Sequence, residues 1–224
     1  MDDFSDKKVV VCFVKTPSFT PLKTRLAASI GKNLAEEFYR LSVKCIEETL
    51  LGLQPRGFYP IWAVAEREAQ SFRMWDTFPR IWQGDGDLGD RLAKIEEYLS
   101  CARKLYFIGG DAPQISIGDF ELADKLLDQS DYALGPSKDG GYWIFAGNKK
   151  VGAETWKQVP YSCTTTFSRF FDLLSSRGHV GKLPLVTDVD YEQDLIDLIE
   201  ALKDQSSPAK DRLKKWLKSF TNRL

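Results

Sequence analysis

The sequence predicts an α/β fold, namely a single-domain three-layer sandwich around a mostly parallel, Rossmann-like sheet. Short apolar runs of strand length alternate with segments whose apolar residues recur at helical spacing. Parallel strands need crossover connections, which are nearly always right-handed and are usually helical. With 224 residues, 43% of them hydrophobic, the chain suits one domain over 1–224 with its core at 8–203.

Four strands are predicted in the first half of the chain. Their ranges are 8–14, 58–65, 80–83 and 105–108. Helical spacing predicts helices over 33–51, 67–75 and 88–99. Asn33 and Glu36 form a pattern typical of a capping box at the first of these helices. Ser116 and Asp119 predict the start of another helix after the fourth strand.

The second half is expected to add a strand pair and three helices. The predicted strands are 132–134 and 142–146, joined by a glycine-rich turn. A helix is indicated by the spacing of Phe167, Phe170, Phe171 and Leu174. A second helix is predicted at 191–203, and an amphipathic C-terminal helix at 208–222.

Composition excludes several classes of function. Lys plus Arg (31) nearly equal Asp plus Glu (32), so the chain offers no overall field for nucleic acid. Four well-separated cysteines and one histidine argue against a zinc site and favour reduced thiols. The acidic start and the lack of an apolar run long enough to span a bilayer favour a cytoplasmic protein without an integral membrane segment.

Three cations follow the first predicted strand: Lys15, Lys23 and Arg25. Open α/β sheets bind ligands at the carboxyl ends of their strands. Pro17 and Pro21 stiffen this segment and remove two backbone donors, so phosphate oxygens would be met mainly by side chains. We therefore expect a phosphate-binding loop; the alternative is a solvated loop whose cations aid solubility.

A carboxylate, Asp111, follows the fourth predicted strand, and Gly110 beside it allows a ligand to approach the backbone. Asp188 and Asp190 are its expected companions, because residues two apart in an extended segment point the same way. Repulsion between such carboxylates favours a shared cation, and oxygen ligands favour Mg²⁺ or Mn²⁺. For Asp190 the alternative is a helix N-cap, with Gln193 at the third helical position.

The segment 84–89 matches the spacing G-x-G-x-x-G between a predicted strand and a helix. Asp85 and Asp87 would place negative charge where a dinucleotide pyrophosphate must lie, which weakens the dinucleotide interpretation. We expect instead a turn from which Asp87 contacts a nucleotide base or ribose.

A second glycine-rich segment begins at Asp139, a candidate to accept a proton from an acceptor hydroxyl. Gly140, Gly141, Tyr142 and Trp143 follow it. The glycines either form a hairpin turn or leave room for a substrate against the two aromatic rings. In the second case these four residues line the substrate pocket.

Taken together, these motifs resemble a known family. The motifs are Phe13-Val-Lys15-x-Pro17, Lys23-Thr-Arg25-Leu26, Gly86-Asp-Leu-Gly89-x-Arg91, Gly110-Asp111-x-Pro113, Leu134-Gly-Pro-x-x-Asp139-Gly-Gly-Tyr142-Trp143 and Leu183-Pro…Asp188-Val-Asp190…Asp194-Leu. Their order is similar to that in the bacterial radical-SAM/selenodomain-associated transferases, relatives of nucleotide-diphospho-sugar transferases with the A-type glycosyltransferase fold. The resemblance implies that fold, a nucleotide on the first loop and a divalent metal at Asp111. The Lys-Thr-Arg-Leu element is also similar to that of phospholactate guanylyltransferases.

The leading functional hypothesis is a metal-dependent glycosyltransferase that moves a sugar from a nucleoside diphosphate donor to a small-molecule acceptor. The alternative is a nucleotidyltransferase that couples a nucleoside triphosphate to a phosphorylated small molecule and releases pyrophosphate. A third hypothesis, a non-catalytic binding or membrane-surface protein, depends on the cations that flank the apolar stripe of the last helix. Oligomeric state stays open, a homodimer included.

Overall fold

The computed structural model describes residues 4–222 and has a seven-stranded sheet at its centre. The strand order is β3-β2-β1-β4-β6-β5-β7. The strands are β1 Lys8–Val14, β2 Phe58–Val64, β3 Arg80–Trp82, β4 Lys104–Gly109, β5 Tyr132–Pro136, β6 Tyr142–Gly147 and β7 Val180–Lys182. Four of the strand pairings are parallel, and β6 pairs antiparallel with both of its neighbours. The predicted α/β fold with a mostly parallel sheet is confirmed.

Eight helices connect or flank these strands in the described residues. They are α1 Thr24–Ile30, α2 Lys32–Leu53, α3 Leu88–Tyr98, α4 Ile117–Leu126, α5 Ala153–Gln158, α6 Thr166–Ser175, α7 Glu192–Ala201 and α8 Pro208–Thr221. None of the helices in this part of the chain has the length and apolar character that crossing a bilayer requires.

The strand register places the two predicted site loops side by side. In the centre of the sheet β1 runs parallel to β4, and Phe13 lies opposite Gly109. The segments after Val14 and after Gly109 therefore leave the same edge of the sheet as neighbours. This register is why residues nearly a hundred positions apart meet in one cleft.

The core forms a layer on each face of the sheet, because alternate residues of a strand point to opposite faces. On one face Val10 and Cys12 pack with residues of α2 and α4 such as Ile46 and Phe120. On the other face apolar residues of β1 pack with α3, α5 and α6, which contribute residues such as Trp156. Each large side chain buried in this way contributes roughly 1.5 to 3 kcal/mol.

The last helix is part of the domain. Its Leu213 and Leu217 are fully buried in a third apolar cluster with residues of α1, α2 and α7. Ser207 caps this helix by accepting from the backbone amide of Lys210. The apolar stripe that supported the membrane-surface hypothesis is therefore covered by the protein itself.

Several predicted elements differ from the observed ones. The capping box at Asn33 and Glu36 is wrong, because α2 begins one residue earlier with Gly31 at its N-cap. The helix predicted at 67–75 is two short 3₁₀ turns, Glu68–Ser71 and Arg73–Trp75. Three short elements, α1, α5 and β7, were not predicted. The capping box at Ser116 and Asp119 is confirmed.

Candidate functional site

Two adjoining cavities open at the carboxyl edge of the central strands. The first, the basic chamber, has a volume of about 820 Å³ and is lined by Lys15, Lys23 and Arg25. The second, the acidic chamber, has a volume of about 320 Å³ and is lined by Asp111, Asp139 and Asp188 together with aromatic rings. The two chambers share Phe13, Gly109, Asp111, Asp139 and Cys163 among their walls, so they form one cleft.

Lys23 lies at the boundary between the chambers. Its ammonium Nζ is 2.9 Å from Oδ2 of Asp111 and 3.5 Å from Oδ1 of Asp190. The side chain is only 6% exposed. Burial alone would lower the pKa of Lys23, but the negative charges of Asp111, Asp190 and Asp188 outweigh it and raise that pKa. Lys23 is therefore a fixed positive charge inside the cleft.

The backbone at Lys23 explains how this side chain reaches the cleft. Lys23 is the N-cap residue of α1 and has φ 45° and ψ 49°, a left-handed conformation that is uncommon for residues other than glycine. The segment 15–25 is thus not a simple loop, because its last two residues already belong to a helix. Backbone strain of this kind is often found where a side chain is held for function.

Asp190 pairs with the cations of α1 and its flank. Its Oδ2 is 2.8 Å from Nη1 of Arg25, whose side chain is half exposed. The predicted N-cap role of Asp190 is wrong, because Tyr191 is the N-cap of α7. The carboxylate of Asp194 accepts hydrogen bonds from the backbone amides of Asp190 and Tyr191 and so closes that turn. The side chain of Asp190 is left to face Lys23.

Asp111 and Asp188 have opposite electrostatic environments in the same chamber. The positive charge of Lys23 is the main cause that holds the pKa of Asp111 below its usual range. Burial, followed by repulsion from Asp111, raises the pKa of Asp188 to about 7. Asp139 adds to that repulsion. A cation between Asp111 and Asp188 would relieve it.

A network of amide hydrogen bonds fixes the loop of Asp111 against the loop of Asp188. Nε2 of Gln114 donates to the carbonyl oxygen of Thr187 at 2.5 Å. Nε2 of Gln205 donates to the carbonyl oxygen of Gln114 at 2.8 Å. Lys210, a buried residue of α8, donates to the carbonyl oxygen of Ile115 at 3.1 Å. The separation of the two carboxylates is therefore built into the packing of the loops.

The other predicted phosphate-binding residues also lie in the basic chamber. Lys15 is exposed, and its backbone is held by Tyr39, whose hydroxyl accepts from Lys15 N at 2.9 Å and donates to Lys15 O at 3.0 Å. Gly110 is buried beside α2, where an added Cβ would lie 3.3 Å from Cγ2 of Val43. Its small size serves helix packing, although it also lines the chamber.

Asp139 lies at the tip of the turn between β5 and β6. Its Oδ1 accepts from Oγ of Ser137 at 2.5 Å and from the backbone amide of Gly141 at 2.8 Å. Gly140 has φ 91°, and a Cβ there would lie 2.2 Å from the carbonyl oxygen of Thr164. The segment that follows α5 can therefore pack over this turn only if residue 140 is glycine. The turn interpretation is confirmed. Gly141 lines the acidic chamber, whereas Gly140 is in the wall of neither chamber, and a substrate pocket at these glycines stays a prediction.

Tyr142 and Trp143 both line the acidic chamber. The ring of Tyr142 is half-buried and packs on Phe170, with 5.3 Å between ring centroids. Nε1 of Trp143 donates to the carbonyl oxygen of Pro184 at 3.1 Å, which fixes the indole in the chamber wall.

Asp87 is a helix cap outside the walls of both chambers. It is the N-cap of α3 and accepts from the backbone amide of Asp90 at 3.0 Å, while Asp90 completes a capping box. In this part of the chain the first residue that lines the two chambers is the next one, Leu88. A contact between Asp87 and a nucleotide base or ribose stays a prediction.

Sequence reasoning missed the segment 161–166 as part of the cleft. Tyr161 and Thr166 line the acidic chamber, and Cys163 lines both chambers. Hydrogen bonds from the hydroxyls of Thr165 and Thr166 lower the pKa of the exposed Cys163 thiol. A run of small polar residues between two helices was the available signal, but such runs are also typical of ordinary loops.

The donor set of the acidic chamber suits a hard divalent cation. Asp111 and Asp188 offer carboxylate oxygens, which are the ligands that Mg²⁺ and Mn²⁺ prefer. Within residues 4–222 no group of three or more His, Cys, Asp or Glu side chains is arranged to hold a metal ion. Protein ligands at this position would therefore number two, and the remaining ligands would come from substrate phosphates and water.

Comparisons with known proteins support the fold. Residues 59–163 match the model of a family described as "Uncharacterized protein conserved in bacteria (DUF2064)". A crystal structure of a "putative nucleotide-diphospho-sugar transferase" from Desulfovibrio desulfuricans G20 superposes with a TM-score of 0.81 at 22% identity, covering 95% of this chain and 97% of that one. No curated protein matches the chain in sequence.

Cytidylyltransferases share the fold more distantly. One is CMP:2-keto-3-deoxy-manno-octonic acid synthetase complexed with CTP, with a TM-score of 0.55 at 16% identity over 89% of this chain and 99% of that one. Another is 4-diphosphocytidyl-2C-methyl-D-erythritol synthase from Anaerococcus prevotii DSM 20548, with a TM-score of 0.55 at 9% identity over 88% and 99%. At identities this low, the superpositions show that these proteins share a fold with this chain and show nothing more. The expected link to radical-SAM and selenodomain proteins stays a prediction.

Proposed function

We propose that the protein is a metal-dependent nucleotide-diphospho-sugar transferase, which moves a sugar from a nucleoside diphosphate to a small-molecule acceptor. The observation that carries the proposal is the position of Lys23, which contacts Asp111 at the junction of a basic and an acidic chamber. A nucleotide-sugar donor consists of an anionic nucleoside diphosphate and a neutral sugar, joined by one bond. The cleft has the same division.

The basic chamber would hold the diphosphate. Lys15, Lys23 and Arg25 converge there, and the guanidinium of Arg25 can hold two phosphate oxygens at once. In the free protein Asp190 neutralises Arg25 and shares Lys23 with Asp111. Phosphate oxygens would replace these carboxylates as partners of the two cations.

Asp111 and Asp188 would hold the divalent cation. Asp190, the third ligand expected from the sequence, lies in the wall of the basic chamber and pairs with Lys23 and Arg25 instead. When bound, the cation would neutralise charge that develops on the departing diphosphate, which is its usual contribution to such reactions. Lys23 adds a second positive charge from the protein itself, already in place and largely shielded from water.

In the transfer step an acceptor hydroxyl forms a bond to the anomeric carbon of the sugar. The bond between that carbon and the diphosphate oxygen breaks, and its electron pair leaves with the nucleoside diphosphate. The acceptor proton passes to Asp139, whose Oδ1 is fixed by Ser137 and Gly141 while the carboxylate lines both chambers. The rings of Tyr142 and Trp143 would form the wall beside the sugar or the acceptor.

The nucleotidyltransferase alternative uses the same basic chamber, and the fold shared with cytidylyltransferases supports it. In that reaction a phosphorylated acceptor attacks the α-phosphate of a nucleoside triphosphate and pyrophosphate leaves. The two proposals differ in the ligand that they require. A glycosyltransferase binds nucleotide sugars, whereas a nucleotidyltransferase binds triphosphates.

A thermal-shift panel tests the proposal with nucleoside mono-, di- and triphosphates and nucleotide sugars, each with and without Mn²⁺. A selective ligand stabilises the fold in proportion to the logarithm of its concentration over its Kd. We expect stabilisation by a nucleoside diphosphate and its sugar conjugate that depends on Mn²⁺ and is lost in Asp111→Asn. Asp128→Asn, which changes an exposed carboxylate paired with Lys104, is the matched control. A response to triphosphates alone would favour the alternative.

A further inference from the structure

The acidic chamber has negatively charged side chains in its wall and no positively charged ones. Three carboxylates line it, those of Asp111, Asp139 and Asp188. None of the described residues in its wall is a lysine, arginine or histidine. The cations of the cleft lie in the walls of the basic chamber, on the other side of Asp111. Three carboxylates, Asp111, Asp139 and Asp190, also line the basic chamber and are balanced by its three cations, whereas the carboxylates of the acidic chamber have no cation in the same wall.

Asp139 and Asp188 are the two carboxylates of the acidic chamber that form no ion pair among the described residues, and of these Asp188 is the proposed metal ligand. Asp111 pairs with Lys23 at 2.9 Å, whereas Asp139 forms no ion pair with any residue between 4 and 222. Two hydrogen bonds, from Ser137 and Gly141, orient its Oδ1. Oδ2 accepts no hydrogen bond within the same residues and is the oxygen left for a ligand.

The remaining wall of the chamber is aromatic. Phe13, Phe107, Tyr142, Trp143 and Tyr161 all contribute to it. The ring centroids of Phe13 and Phe107 are 5.4 Å apart in an edge-to-face contact, so these rings are fixed by one another. Ring faces beside a carboxylate suit either the C–H face of a polyhydroxylated ring or a positively charged amine.

We propose that the acceptor bound in this chamber carries hydroxyl or ammonium groups and no phosphate or carboxylate, and that Asp139 sets this specificity. The inference depends on the proposed function, since it names the acceptor class of the same site. Hydroxyl and ammonium groups share the chemistry that matters here, because both donate hydrogen bonds to a carboxylate oxygen.

Electrostatic repulsion by Asp139 is large enough to discriminate between neutral and anionic acceptors. At an effective dielectric near 20, one negative charge roughly 6 Å from the carboxylate of Asp139 weakens binding by about 100-fold. A divalent cation shared by Asp111 and Asp188 would cancel their charge and leave Asp139 as the negative group of the chamber. Asp139 is not among the residues that would hold the metal, so its own charge stays in the chamber when a metal is bound.

The first test measures the charge preference of the chamber in the nucleotide-free protein. Cys163, like Asp139, lines both chambers and is exposed, so its rate of modification by a cationic or an anionic methanethiosulfonate reports the potential where the chambers meet. Cys101, the other exposed cysteine among the described residues, is the internal control. We expect the ratio of cationic to anionic rates at Cys163 to fall at least about threefold in Asp139→Asn, with no change at Cys101. An unchanged ratio at Cys163 would overturn the role of Asp139.

The second test uses matched probes with the nucleoside diphosphate and Mn²⁺ bound, so that the basic chamber is filled. The pairs are glucose with glucose 6-phosphate and glucosamine with glucosamine 6-phosphate, and calorimetry gives their affinities. We expect each phosphorylated probe to bind at least about tenfold more weakly than its partner, and Asp139→Asn to narrow that difference. Comparison of glucose with glucosamine separates hydroxyl from ammonium recognition.

The outcomes of the two tests are distinguishable from failure of the proposed function. If no nucleoside diphosphate binds, the proposed function fails, while the cysteine ratio still decides the charge preference of the chamber. If the nucleotide binds and phosphorylated probes bind as tightly as their partners, the inference is wrong and the nucleotidyltransferase alternative gains support. Glu97→Gln, which changes an exposed carboxylate paired with Lys150, controls for a general loss of negative charge.

Discussion

Nζ of Lys23 and Oδ2 of Asp111 are 2.9 Å apart, although 88 positions separate the two residues in the chain. This ion pair joins the segment after β1 to the segment after β4, the two central parallel strands. It also places the buried positive charge of the cleft against Asp111, the predicted metal ligand. The electrostatics of the candidate site follow from this one contact.

The first prediction concerns the cations of the basic chamber. Lys23→Met and Arg25→Gln should each weaken the binding of a nucleoside diphosphate by about 10- to 150-fold, because a hydrogen bond to a charged group contributes about 1.5 to 3 kcal/mol. Calorimetry at a single low salt concentration measures the change. Arg56→Gln removes an exposed arginine at the opposite edge of the sheet and serves as the control. If all three variants bound the nucleoside diphosphate with equal affinity, the segment 15–25 would be a solvated loop that does not bind phosphate.

The second prediction concerns the pH dependence of stability. The pKa of Asp188 is raised to about 7, so between the ordinary value near 3.8 and about 7 the folded protein keeps a proton that the unfolded chain has lost. The ionised carboxyl therefore destabilises the fold increasingly as pH rises through this range. Asp188→Asn should match the wild type in free energy of unfolding near pH 4 and exceed it at pH 8.

Chemical denaturation with EDTA present, at several pH values, measures this difference. A variant that is less stable than the wild type at pH 8 would show that Asp188 is not held against a net negative field. Asp128→Asn controls for loss of a surface carboxylate near Lys104.

The third prediction concerns Gln114, which ties the loop of Asp111 to that of Asp188 through the carbonyl oxygen of Thr187. Gln114→Ala should lower the free energy of unfolding by about 1 kcal/mol, the usual contribution of one hydrogen bond. It should weaken Mn²⁺ binding by about tenfold, as loss of an outer-shell partner does in metal sites. Titration of Mn²⁺ by electron paramagnetic resonance with nucleoside diphosphate present measures the second effect.

The exposed Gln129, after α4, gives the matched variant Gln129→Ala. A loss of stability in Gln114→Ala with no loss of Mn²⁺ affinity would restrict Gln114 to a structural role.

Much of the fold could be predicted from the sequence, because strand-length apolar runs and helical spacing are local patterns. The convergence of Lys23 and Arg25 with Asp111 and Asp190 followed from one further rule, that parallel strands end at the same edge. The structure confirms that convergence.

Other features had no local signal. The helix α1 has seven residues, of which Leu26 is buried. Its N-cap residue is Lys23, whose side chain does not cap the helix. An aspartate before a helix is typical of an N-cap, which is why the sequence predicts that role for Asp190. In the structure the carboxylate of Asp194 accepts from the backbone amides of this turn instead. Residues 161–166 enter the cleft because Gly140 lets them pack over the turn at Asp139. Such contacts depend on tertiary packing.

An anomalous difference map from crystals grown with Mn²⁺ and the nucleoside diphosphate that binds would locate the metal and the nucleotide in one experiment. We predict a manganese peak between the carboxylates of Asp111 and Asp188, with the diphosphate beside it on Lys23 and Arg25. A nucleotide bound elsewhere, with no manganese in the cleft and the contact between Lys23 and Asp111 intact, would contradict this prediction.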